Sequence, residues 1–492
     1  MLALAACTTV GPDYRLPEAA AVNRHDANAA FVDIGSDALD GDAELPARWW
    51  QLYQDPILDD LVEQALQGNT ALKVAEANLR RSAAHYDQAL AAGGFGAELH
   101  AGVTRAGMSG ESFLKEAQLP AVTLSDAGVG ISYQFDLFGR LRRGIEAAHA
   151  DHQAVAAARD LARISVVAKV AERYVQICSA NHELSVAGAS LRLQQQSRDI
   201  TRRLVEAGRG TPTQLARAQA QVALLQAALP PLQAQRSAAG YQLATLLGHT
   251  PGQLPAKVME CVQPPQLSQP VPIGDGRALL ARRPDVRQSE RLLAASTAEI
   301  GVATAELYPD IHLGGSLGVI GQLQHFGEPA TQQWTLGPLI SWTVPTAGAR
   351  ARVRAMEAGA DAALARFDGT VLTALQEVQA ALARYQQDLL RVQALREAQR
   401  QAGIAADQSR RLYQAGRQPY MDSLDADRSM ADADMTLAKA EAALASDQIH
   451  LFLALGGGWQ MPVGAEDTAS HDAPVDAAPA GMPRDSAAGR RG

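Results

Sequence analysis

Two carboxylates, Asp422 and Asp425, are the residues of this 492-residue chain best placed to act through charge. They lie just past the turn Gly416-Arg417-Gln418-Pro419, at the end of the longest helical pattern. A spacing of three puts both on one helical face. In a symmetric oligomer each becomes a ring of carboxylates around the axis, where like charges raise one another's pKa and attract cations. A solvated acidic helix start accounts for the pair equally well from the residues alone. Patterns for catalysis are weaker. Gly314-Gly315-Ser316-Leu317-Gly318 has the letters of a nucleophile elbow, but that motif needs a helix to begin directly after the serine, and strand-like residues follow instead. The eleven histidines fall into no metal-ligand spacing. Gly456-Gly457-Gly458 lacks the Lys and Ser/Thr of a phosphate loop and reads as a helix end. The chain is therefore expected to be no enzyme, with no metal, no cofactor and no ATPase chemistry.

Composition narrows the partners. The net charge is −9, and no basic stripe interleaved with aromatics is present, so nucleic acid is not an expected partner. Hydrophobic residues make up 47% but aromatics only 5%, a balance that suits long coiled helices better than an aromatic-rich core. No run of about 18 apolar residues occurs, which excludes a helical membrane span and leaves a β-barrel open. Three cysteines are too few for a disulfide scaffold. Cys178 reads as a small buried hydrophobe beside Tyr174 and Ile177, and Cys261 as part of a Pro-rich connector, with no geometric ground in the sequence for joining them. Met1 to Cys7 reads as the remnant of a lipoprotein signal, ending in the lipobox Leu4-Ala5-Ala6-Cys7, although its apolar stretch is short and no positive region precedes it.

The elements that must position the aspartates come in two similar sets. Arg203-Leu204 and Gly208-Arg209 recur about 208 positions later as Arg411-Leu412 and Gly416-Arg417, and Leu247-Gly248 recurs as Leu455-Gly456. A period this long is a duplicated half rather than a solenoid. The expected organisation is an extended arm over 8–54, a first repeat over 55–250, a connector over 251–276, a second repeat over 277–460 and a disordered tail over 461–492.

Within each repeat a helix leads into two alternating strands. Ala127, Val129, Ile131, Tyr133 and Phe135 share one face of a strand over 125–135; Asp126, Gly128, Gly130, Ser132 and Gln134 share the other. Trp334, Leu336, Pro338, Ile340, Trp342 and Val344 repeat that pattern, with Pro338 as an objection to a central strand. Partner strands are expected near 95–105 and 309–319, joined by loops near 109–120 and 322–332. Four such strands cannot close a barrel, and an open edge in lipid leaves backbone groups unpaired at several kcal/mol each. If they cross a membrane, several chains must share one barrel. Helical patterns run over 55–92, 141–207 and 349–415; the last carries the heptad seam Val371, Leu375, Val378, Leu382, Tyr385, Leu389, Val392 and Leu395.

Several segments together resemble the TolC-like outer-membrane factors, in particular the NodT-like lipoprotein subgroup of tripartite, RND-type efflux systems. They are Arg282-Arg283-Pro284-Asp285-Val286, Ala298-Glu299-Ile300-Gly301-Val302-Ala303, Leu307-Tyr308-Pro309, Tyr133 to Arg140, Gln376-Glu377-Val378 and Tyr420 to Ala426. The resemblance spans about residues 7–460. It implies a mainly α fold with membrane β: a trimer whose twelve-stranded outer-membrane barrel, four strands per chain, continues into a long periplasmic α-helical barrel. It further implies lipidation of Cys7 at the outer membrane, a periplasmic gate at Asp422 and Asp425, and tips at Gly208, Arg209, Gly416 and Arg417 that meet a periplasmic adaptor fed by an inner-membrane pump. In the first repeat the position matching Asp422 is Gln214, which would leave one carboxylate pair per chain. The expected role is a passive exit duct for small toxic compounds; a type I protein-secretion duct and a lipid-anchored coiled-coil rod without a pore are the alternatives.

Overall fold

The computed structural model describes residues 9–32, 38–107 and 119–457, with scattered positions between 108 and 118. Cys7 and the tail from 458 onward lie outside the described residues. Residues 9–32 and 38–54 do not form a free extended arm. They run through short helical turns and dock on the helices behind them. Val10 donates to Phe138 O, and the Arg143 guanidinium, only 4% exposed, binds Val10 O, Gly11 O and Asp13. Strand β1 (Leu39–Asp40) pairs in parallel with β4 (Val271–Pro272) of the connector. Trp49 stacks on Phe452 with ring centres 4.6 Å apart, so the arm completes the central core.

The helical pattern expected over 55–92 is two helices, α1 (Pro56–Gly68) and α2 (Thr70–Ala91). Asp55 caps α1 by accepting from the N–H of Ile57 and Leu58, and Pro56 suits the first helical position. Asn69 interrupts the run. Its Oδ1 caps α2 while its Nδ2 donates to Leu246 O, which ties the break to the end of another helix. Then follow β2 (Gly96–Ala106), β3 (Val122–Phe135), the 67-residue α3 (Arg140–Glu206), α4 (Pro212–Ala227) and α5 (Leu229–Leu246). After the connector, with its short α6 (Ala256–Met259), and then β4, come α7 (Gly276–Arg282) and α8 (Pro284–Ala305). Next are β5 (Asp310–Gln322), β6 (Gln332–Ser341), the 68-residue α9 (Ala347–Gln414) and α10 (Tyr420–Ala454). At 1.5 Å per residue α3 and α9 each extend about 100 Å. No helix among the described residues is long and apolar enough to cross a membrane.

On α9 the heptad positions Val371, Val378, Leu382, Tyr385 and Val392 are buried, while Leu375, Leu389 and Leu395 are half-buried. The Arg282-Arg283 motif seals the far end of α10: Arg282 Nε donates to Leu455 O and Arg283 Nη1 to Ala454 O, each at 2.9 Å. Arg283 Nη2 also reaches Asp285 and Glu377, so two of the sequence signatures meet at one helix C-terminus. Carbonyls that the helix cannot pair internally are thereby satisfied.

One expectation is overturned. Cys178 is fully buried, but it is bonded to Cys261, at a sequence separation of 83. Helix α5 returns along α3 and carries the connector back to it; Asn181 Nδ2 then donates to both Met259 O and Cys261 O, which holds the segment in place. The proximity comes from the fold and leaves no mark in the local sequence. A disulfide is typically worth about 2–4 kcal/mol, and chain entropy alone puts a loop of this length at about 4.5 kcal/mol. Reductant is therefore expected to lower the melting temperature of the native protein and leave that of Cys261→Ser unchanged. A native melt indifferent to reductant would show that the bridge does not stabilise the fold.

Candidate functional site

The four long strands form one antiparallel sheet in the order β2-β3-β5-β6. Register places Leu99, Val129, Leu317 and Trp334 in one row across it, and Ala97, Ile131, Gly315 and Leu336 in another. Directly opposed residues share a face, so these rows make one side apolar. Leu99 is 81% exposed, Trp334 74% and Leu317 63%, far more than large apolar groups tolerate in water as a continuous surface. The opposite side carries the rows Glu98-Gly130-Ser316-Thr335 and Gly96-Ser132-Gly314-Gly337. Ile320 and Leu339 interrupt that polar side. All of Gly314 to Gly318 lies within β5, where Ser316 Oγ is 2.7 Å from Thr335 Oγ1, so the serine belongs to a strand rather than an elbow. Pro338 stands opposite Leu313 in β6, the last strand of this sheet. At the foot of the sheet Phe95, Tyr133 and Phe135 form a chain of ring contacts of 4.8 and 5.2 Å.

The two long helices end in turns of the same geometry. Gly208 has φ +71° and Gly416 φ +67°. Arg209 N–H bonds to Leu204 O and Arg417 N–H to Leu412 O, while the two glycine N–H groups bond to Val205 O and Tyr413 O. This is the glycine-ended helix cap, which needs a left-handed residue. No atom lies within 4 Å of where a Cβ would be at either glycine, so backbone conformation alone requires them. Gly208, Arg209, Gly416 and Arg417 are all exposed.

Asp422 and Asp425 sit together in the first turns of α10, both exposed. Gln214 is not their counterpart in chemistry. It closes the start of α4, with its Oε1 accepting from Thr211 N–H at 2.8 Å and its own N–H donating to Thr211 Oγ1. Sequence reasoning missed the groups that tie the two tips together. Tyr420 OH lies 2.9 Å from Ser197 Oγ on α3, and Arg428 Nε donates to Gln221 Oε1 on α4 at 3.1 Å. Arg428 also pairs with Asp425 at 3.6 Å, and Arg217 of α4 reaches Met421 Sδ. The spacing of Asp425 and Arg428 on one helix was readable; the partners on α3 and α4 were not.

This geometry has close relatives. The sequence profile of the family described as outer membrane efflux protein matches residues 61–249 and 276–457. The chain belongs to this family. Nodulation protein T of Rhizobium leguminosarum bv. viciae is 30% identical over 470 residues, covering 94% of this chain and 92% of that protein. The probable efflux pump outer membrane protein TtgC of Pseudomonas putida is 30% identical over 492 residues, covering 96% and 97%. Among solved structures, the outer-membrane channel OprN matches with a TM-score of 0.84 and 35% identity, over 92% of this chain and 100% of that one. The MtrE outer-membrane channel of Neisseria gonorrhoeae matches with a TM-score of 0.78 and 27% identity, over 92% and 99%. As a member of the outer membrane efflux protein family, the chain is a NodT-like outer-membrane factor that serves efflux, and its family is one of channels rather than enzymes.

Proposed function

We propose that three copies of this chain join their four-stranded sheets into one twelve-stranded barrel and their long helices into a periplasmic tube, forming the exit duct of a tripartite efflux pump. The carrying observation is the sheet itself. Among the described residues its apolar side is bare, its other side is polar, and β2 and β6 are paired along one edge only. Lipid removes the first problem, and only closure with further strands removes the second. The polar side then lines the lumen.

The remaining roles follow from position. Val10 is bonded to Phe138 O just below β3, and a lipid on Cys7, earlier in the chain, serves as the outer-membrane anchor. The exposed caps at Gly208-Arg209 and Gly416-Arg417 are the surfaces offered to a periplasmic adaptor, which connects the duct to an inner-membrane pump. A bridge between Cys178 and Cys261 suits an oxidising compartment. Asp422 and Asp425 form the acidic constriction, one pair per chain, and opening turns the α9–α10 tip away from α3 and α4.

Planar-bilayer recording tests the reading. Asp422→Ala with Asp425→Ala is expected to raise resting conductance severalfold and abolish block by multivalent cations, because ringed carboxylates hold cations at the constriction. Unchanged conductance together with unchanged block would remove these residues from the gate. A protein that forms neither a heat-modifiable trimer nor any conductance would instead be a coiled-coil rod.

A further inference from the structure

A third aspartate on α10 behaves unlike the exposed pair. Asp427 is only 6% exposed. Its Oδ1 lies 3.3 Å from Arg410 Nε of α9 yet receives no hydrogen bond from any described residue, because Arg410 is directed elsewhere. Arg410 Nε donates to Ala406 O, and its Nη2 to Asp407 at 2.5 Å. A cavity of about 100 Å³ between α3, α4 and α10 is lined in part by Gln194, Gln221, Asp427, Arg428 and Asp434. Gln194 is itself 4% exposed, and its Nε2 has no hydrogen-bond partner among the described residues. An unmet donor and an unmet acceptor thus share a cavity of mixed polar and apolar lining that is large enough for a few waters. The charged groups around Asp427 are Arg410 and Asp407 from α9, with Arg428 and Asp434 from its own helix; α3 and α4 present the neutral Gln194 and Gln221 to the cavity.

We propose that Asp427 is a proton-binding site whose occupation locks the α9–α10 tip in its packed, closed position. The proposal rests on the channel reading above. Burial pushes the Asp427 carboxyl up to about 6; Arg410 opposes this shift and Asp407 adds to it. Turning α10 away from α3 and α4 would return the group to water and to an ordinary value near ~3.9. The packed form therefore holds the proton more tightly, and protonation favours it. That stabilisation is complete below the ordinary carboxylate range and is lost as pH rises through about 6. Acid holds the tip shut, and at neutral pH an ionised Asp427 resists burial.

Resting conductance of the full-length assembled channel is expected to fall about tenfold between about pH 7.5 and about pH 5. Asp427→Asn, which mimics the protonated group, stays low and does not respond. Arg410→Gln moves the midpoint upward and Asp407→Asn moves it downward, since they remove opposite charges. A native pH response in Asp427→Asn, or a downward shift in Arg410→Gln, would overturn the proposal. Amide exchange over Tyr420–Met430, corrected for intrinsic rates, gives a second readout in the same samples. Slower exchange in acid for the native chain but not for Asp427→Asn supports the site even where no conductance is found, an outcome that would sink the channel reading alone. Equal exchange in the two proteins overturns the site.

Discussion

Arg428→Ser combined with Tyr420→Phe is expected to open the resting channel, raising conductance by tenfold or more in bilayers. Each substitution removes a contact that crosses from α10 to the first-half tip: Arg428 to Gln221, and Tyr420 to Ser197. A half-buried hydrogen bond from a charged group is worth about 1.5–3 kcal/mol and a neutral one about 1 kcal/mol. Together they hold each tip by roughly 3 kcal/mol, and each 1.4 kcal/mol is about a factor of ten in the open-to-closed ratio. The Arg428–Asp425 pair adds little to this sum, because Asp425 is 67% exposed at its side chain and such pairs contribute at most about 1 kcal/mol. Asp425→Asn alone should thus change resting conductance far less than Arg428→Ser. If the two behave alike, the intrahelical pair rather than the link to α4 holds the tip.

What could be read in the chain and what could not divides along a physical line. The strands appeared because their two faces meet different surroundings: the alternation over 125–135 lies within Val122–Phe135, and Trp334 to Ile340 lies within β6. The seam of α9 appeared because a helix packed over about 100 Å repeats the same demand every turn. Features made by single contacts between distant segments left no period to detect. Cys178 and Cys261 meet only after α4 and α5 have returned along α3. The break at Asn69 depends on Leu246 O, which no local pattern announces. Asp427 reads in sequence as one more acid among Asp422, Asp425, Asp432 and Asp434, and only the packing of three other helices sets it apart. The placement of the aspartates and the glycine turns at helix ends was legible because glycine and polar residues at such ends are themselves local signals; the contacts of Tyr420, Arg428, Ser197 and Gln221 needed the fold.

A charge placed on alternate residues of β5 should separate the two faces of the sheet. Leu317→Arg is expected to abolish the heat-modifiable trimer in outer-membrane fractions, while Ser316→Arg assembles normally. Leu317 stands between Val129 and Trp334 on the apolar side; Ser316, one residue earlier, stands between Gly130 and Thr335 on the polar side. Arginine facing lipid near the bilayer midplane costs about 2–4 kcal/mol per chain. Three copies in one barrel bring this to roughly 10 kcal/mol, comparable with the whole stability of a domain. On the polar side the same guanidinium reaches water, and Gly314 and Gly318 flanking Ser316 along the strand leave room beside it. The comparison holds sequence context, residue type and strand constant and changes only the direction of the side chain. Assembly lost with Ser316→Arg and retained with Leu317→Arg would turn the sheet around, and with it the lumen assigned to Glu98, Ser316 and Thr335.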